Sequence, residues 1–152
     1  MKNLIYPSLF ILLLNACAQP VQRSEALIFV EEHNIPTAES KSVRQVESTV
    51  IASLINDANK QAISGNTEQA VAIIERGLRI EPTNAGLWNL FASIRLQQQQ
   101  WQQAIELARK SNALTNDKDL LSSNWGLMAK AYEKTGEYEK AKEALKKQKL
   151  TS

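Results

Sequence analysis

Residues 125–145 read WGLMAKAYEKTGEYEKAKEAL, two helix-forming runs parted by Gly136, with small residues at Ala129 and Ala141 and aromatics at Trp125, Tyr132 and Tyr138. Sliding the chain against itself finds this pattern twice more. Trp125, Ala129, Gly136 and Ala141 fall 37 residues after Trp88, Ala92, Gln99 and Ala104. Those in turn fall 34 residues after Leu54, Ala58, Gly65 and Ala70, and Leu114 falls 34 after Ile80. The three extra residues of the longer step belong in the link Thr115–Leu121, where an insertion costs least. A fixed period of this size marks a stack of helical hairpins, each of which buries its apolar face only against its neighbours.

Composition points the same way. Only 5 Gly and 4 Pro stand in 152 residues with 43% hydrophobic side chains, and abundant Ala, Leu, Gln, Glu and Lys favour an all-α class. That length holds one compact domain and a short targeting or linking segment, without a second catalytic domain. Ala58, Ala92 and Ala129 are expected where the two helices of a pair cross, facing Ala70, Ala104 and Ala141, because a larger side chain would hold the backbones apart. Trp88, Trp101, Trp125, Tyr132 and Tyr138 are expected to pack between helices.

The motif Trp125-x-x-Met128-Ala129-x-x-Tyr132, then Gly136-x-Tyr138-x-x-Ala141-x-x-x-Leu145, resembles the tetratricopeptide repeat. The middle copy keeps Trp88-x-x-Phe91-Ala92 and Trp101-x-x-Ala104-x-x-x-Ala108, with Arg95 for the usual Tyr and Asn116 for the closing Pro. The first has Leu54 and Asp57-Ala58 for the aromatic and the Leu-Gly, while Ala70, Ile74, Leu78, Ile80 and Pro82 are in place. The resemblance implies a superhelical array of antiparallel helix pairs over residues 51–152, divided 51–84, 85–121 and 122–150, with residues 24–50 as an N-terminal extension and the start of the first helix.

It also implies protein binding, in a concave groove lined by the first helix of each pair. Placed from the matched positions, the groove residues are Ile55, Asn56 and Asn59, then Asn89, Leu90, Ser93 and Gln97, then Ser123, Leu127, Lys130 and Lys134. Amides suit an extended peptide, since each donates and accepts at once. Some members of the family grip a partner's carboxylates with paired Lys and Asn. Asn59 fits that arrangement, but Ile55 and Leu90 occupy two of its other places, so no carboxylate clamp is expected. The glutamine tract from Gln97 to Gln103, broken by Trp101, covers the turn of the middle pair and is expected to be an exposed corner.

The N-terminus reads as an address. Lys2 precedes a mostly apolar run from Leu4 to Leu14, short of the roughly 20 residues of a membrane-spanning helix and typical of a signal peptide. Leu14-Asn15-Ala16-Cys17 resembles the lipobox of bacterial lipoproteins, which implies removal of residues 1–16 and covalent lipid on Cys17, with residues 17–23 as a tether. Ala18 and Gln19, rather than Asp, after the cysteine imply the outer membrane, facing the periplasm. Ser24–Ile35 suits a helix or a short strand, and Pro36 interrupts it. Beyond it Val43, Val46, Val50, Ile51, Leu54 and Ala58 recur at steps of three and four, predicting an amphipathic helix from about Ser40 to Ser64 that Gly65-Asn66 stops.

A net charge of +2 argues against a nucleic-acid partner. Met128–Ser152 nevertheless carries seven Lys against four acids. One imidazole, His33, and one thiol, Cys17, assemble neither a catalytic triad nor a zinc set, and Asp117-x-Asp119 lacks the spacing of a calcium loop. No enzyme, cofactor or metal is therefore expected, and Asp117 or Asp119 is expected to cap a helix. The expectation is a lipid-anchored adaptor or assembly factor for an envelope system such as a pilus, a secretion machine or wall enzymes. The alternative is a homo-oligomeric subunit that associates through an uncapped apolar face of the last pair.

Overall fold

A computed structural model describes residues 37–152, with side chains from Ser42 onward. The signal segment, the lipid site Cys17, the tether and residues 24–36 lie outside the described residues. Six helices follow one another: α1 (Thr37–Ile63), α2 (Thr67–Ile80), α3 (Ala85–Gln97), α4 (Trp101–Ala113), α5 (Lys118–Lys134) and α6 (Tyr138–Thr151). They pair as α1·α2, α3·α4 and α5·α6, and successive pairs stack through α2·α3 and α4·α5.

The turn inside each pair is the same structure three times. Gly65, Gln99 and Gly136 all take positive φ, at 82°, 59° and 78°. Each N–H reaches back to close the preceding helix, to Ala62, Leu96 and Glu133, while the next residue's N–H bonds to Gln61, Arg95 and Tyr132. This is the Schellman closure, which satisfies the last carbonyls of a helix and needs a left-handed residue. Gln99 adopts that conformation against its side chain's preference. Between pairs, side-chain caps start the next helix: Asn84 accepts from the Leu87 N–H at 3.0 Å and Asp117 from the Leu120 N–H at 2.9 Å.

Ala58, Ala92, Ala129, Ala70, Ala104 and Ala141 are all buried, none more than 3% exposed. Around them lie two apolar clusters, one centred on Ile51, Leu54, Ile74, Leu87 and Ile94, the other on Ile105, Ala108, Met128, Tyr132 and Ala144. Each fully buried Leu, Ile or Met contributes about 1.5–3 kcal/mol.

The array also has an inside. The backbones of α1 and α3 and of α3 and α5 come close, whereas those of α2, α4 and α6 do not approach one another. First helices that lie closer together than second helices place the first set on the inner side of the curve.

Four expectations are corrected. The three extra residues of the longer step do not lengthen a link, since 81–84 and 114–117 are equally long, but add a first turn to α5, which starts at Lys118. The apolar stripe of α1 is buried only from Ile51 onward, and Val43 and Val46 stand 53% and 61% exposed; α2 is a 14-residue helix beside a 27-residue one, and no described element covers the first half of α1. Tyr138 does not pack between helices but is 70% exposed, since it opens α6 at the edge of the array. The glutamine tract is not wholly an exposed corner: Gln98 is half-buried, accepts from Arg95 Nη1 at 2.7 Å and donates to Thr67 Oγ1 at 3.1 Å, tying the end of α3 to the start of α2.

Candidate functional site

The inner surface is built from α1, α3 and α5. The 34- and 37-residue steps align Asn59 with Ser93 and Lys130, and Ile63 with Gln97 and Lys134. Asn56, Asn59, Gln97, Ser123, Lys130 and Lys134 are exposed, and Ser93 is half-buried. Asn59, Gln97, Lys130 and Lys134 have no hydrogen-bond or ion-pair partner among the described residues, so their polar groups face water. Ile63, absent from the expected groove, stands 86% exposed in the row of Gln97 and Lys134. Comparing the three repeats column by column would have found it.

Four of the expected groove residues serve the fold instead. Leu90 is buried in the first apolar cluster, and Ile55 packs against the same cluster, where a methyl group added at Gly86 would meet Ile55 Cδ1 at 3.8 Å. Leu127 packs against the second cluster. Asn89 is half-buried, and its amide donates to Ser123 Oγ at 3.0 Å and to Asn124 Oδ1 at 2.7 Å. Both its N–H groups are thereby occupied. Asn124 in turn donates to Ser111 Oγ at 2.8 Å, and Ser111 donates to the Ala85 carbonyl at 2.8 Å. Asn124 and Ser111 are fully buried, and the chain of bonds supplies the partners that buried polar groups require. It joins α3, α4 and α5 and holds the second and third pairs in one arrangement.

The aromatic residues are engaged by the array as well. Trp88 Nε1 donates to the Pro82 carbonyl at 2.8 Å. Lys110 lies over the Trp88 ring at 6.0 Å and Lys147 over Trp125 at 4.6 Å, the same contact one repeat apart. Tyr132 accepts from Arg109 Nη2 at 2.7 Å across the α4·α5 junction.

Shifted titrations lie away from the inner surface. The Lys140 ammonium, through a hydrogen bond, holds the Glu137 carboxyl below the usual carboxylate range, and Glu137 raises Lys140 in return. Lys147 lowers Glu143 in the same way. Among the described residues no group of His, Cys, Asp or Glu could hold a metal ion, and no helix is long and apolar enough to cross a membrane. The inner surface offers hydrogen-bonding amides, two lysines and one exposed isoleucine, a chemistry of binding.

Residues 122–149 match the tetratricopeptide repeat family. No curated protein matches the chain. Among solved structures, the globular C-terminal domain of P. aeruginosa LpoP is similar at 32% identity with a TM-score of 0.63, over 65% of this chain and 94% of that one. The second tetratricopeptide domain of Spaghetti (RPAP3), bound to the HSP90 peptide SRMEEVD, superposes with a TM-score of 0.63 at 19% identity, over 71% of this chain and 99% of that one, a likeness of fold. The repeat match, the relative above 30% identity and the three-pair architecture together establish that the chain belongs to the tetratricopeptide repeat family, as a relative of the LpoP C-terminal domain.

Proposed function

We propose that the protein is a membrane-anchored interaction module of a bacterial envelope assembly, holding a peptide or helix of another protein along its inner surface. The observation that carries this is the inner row itself. Asn59, Gln97, Lys130 and Lys134 project from three successive first helices, with polar groups that the fold leaves to solvent. Such groups exchange water for a partner's backbone without disturbing the core. Membership of a repeat family in which a related fold holds a bound peptide supports the same reading. The anchor rests on the lipobox resemblance at Cys17, and the envelope location follows from it.

Photo-crosslinkers placed in cells at Asn59, Ser93 and Lys130, with Lys110 on α4 as the outward control, test the inner surface. The expected result is one protein captured from the three inner positions and not from Lys110. Equal capture from all four would overturn the assignment. For the anchor, Cys17→Ser is expected to abolish fatty-acid labelling, and persistent labelling would defeat it.

A further inference from the structure

The register that aligns the pairs also shows what each pair presents to the next. α2 presents Ile74 and Gly77, and a methyl added at Gly77 would meet Leu87 Cδ1 of α3 at 2.9 Å. One step on, α4 presents Ile105, Ala108, Arg109 and Ser111 to α5. The first two are buried beside Met128, Arg109 reaches Tyr132, and Ser111 accepts from Asn124. A further 37 residues on, these four positions are Lys142, Leu145, Lys146 and Gln148 of α6. They occupy the equivalent face of the last pair with different side chains, larger at Leu145 and Gln148 than at Ala108 and Ser111.

Lys142, Lys146 and Lys149 lie at i, i+4 and i+7, on one side of the helix, and none is in an ion pair among the described residues. The acids beside them are Glu139 and Glu143, and Glu143 is already paired to Lys147 at 2.9 Å. Leu145, 40% exposed, stands in the middle of the stripe.

We propose that this face docks an acidic amphipathic helix of a partner protein, seated on α6 as α5 is seated on α4. The apolar side of that helix covers Leu145, and its carboxylates meet Lys142, Lys146 and Lys149. Charge decides the occupant. A second copy of α6 would bring three lysines against three lysines, which disfavours self-association through this end. The face carries exposed Leu145 within a stripe of lysines. A flat anionic membrane would draw on Lys140 and Lys147 as well, but these are tied to Glu137 and Glu143. The inference concerns a surface separate from the inner row and does not rest on that assignment.

The test uses the full chain and a labelled synthetic peptide that copies Lys118–Lys134, the helix seated on the equivalent face. The peptide carries Met128→Glu and Tyr132→Glu, with Lys118→Gln, Lys130→Gln and Lys134→Gln. A scrambled peptide of identical composition is the control, and binding is read by fluorescence anisotropy. The ordered peptide is expected to bind at least about tenfold tighter than the scrambled one. K142E/K146E/K149E, and separately the milder K142Q/K146Q/K149Q, should remove that preference while helical circular dichroism is unchanged. Leu145→Gln should weaken the ordered peptide alone. Equal binding of the two peptides, or binding indifferent to the three lysines, would overturn the proposal in favour of a merely solubilising end. Lysine-dependent binding to phosphatidylglycerol vesicles that the ordered peptide fails to displace would overturn it in favour of a lipid surface.

Discussion

The junction between the first and second pairs and the junction between the second and third meet the same geometric demand with opposite chemistry. At the first, Leu87 rests on Gly77, apolar bulk against a position with no side chain. At the second, the same two places hold Asn124 and Ser111, joined by a hydrogen bond and extended to Asn89 and the Ala85 carbonyl. Apolar contact is non-directional and is governed by area. A buried amide network is satisfied in one arrangement only and is costly in any other. The first junction therefore holds by packing, whereas the second also selects an orientation, beside a first helix, α5, that starts about one turn earlier than α3 does in its repeat.

Substitutions can separate the two. Leu87→Ala should show the largest effect, a loss of about 2–5 kcal/mol in urea unfolding, because it empties a fully buried site. Asn124→Leu should cost about 1–3 kcal/mol by stranding its partners. Adding Ser111→Gly then copies the first junction into the second and should recover most of that loss. A double variant no more stable than the single one would show that the two junctions are not interchangeable.

A smaller contrast lies in the turns. Gly136→Ala forces a side chain into the left-handed region and should lose about 1 kcal/mol, while Gln99→Gly relieves that conformation and should gain about 0.5–1 kcal/mol in thermal unfolding. Least of all is the effect of acid. The carboxyls of Glu137 and Glu143 are held below their ordinary value of 4.5 in the folded chain. The stability they add is present above that value and is lost as pH falls through the lowered one. The side chains in central contact at each junction, Leu87 and Asn124 with Ser111, do not titrate, so on acidification the protection against hydrogen exchange, taken relative to the intrinsic rate at each pH, should fall in α6 before it falls at Leu87 or Asn124.

Much of this was legible in the chain, and the parts that were not share a cause. The period, the six alanines at the crossings and the turns at Gly65 and Gly136 are local or periodic features, and each reappears where the spacing predicts. Spacing from the matched repeat positions puts Asn89 on the groove. Its partners lie 34 and 35 residues away, and nothing near Asn89 in the sequence announces them. A signal did exist: Asn124 stands where the preceding repeat has Leu87, and Ser111 where it has Gly77, a paired change from apolar to polar in adjacent columns. The bare valines of α1 misled for the opposite reason. A stripe at helical spacing states that a face is apolar, but not whether anything covers it.

By itself, then, the sequence determined that the chain forms helices, where they turn and that they pair in three stacked hairpins, since backbone closure and small residues at crossings act within a few turns of helix. Tertiary structure alone decided which polar side chains are drawn inward and which are left to a partner. That choice depends on how two helices cross, and the atoms that settle it, such as Asn124 Nδ2 and Ser111 Oγ at 2.8 Å, meet only after the pairs have stacked.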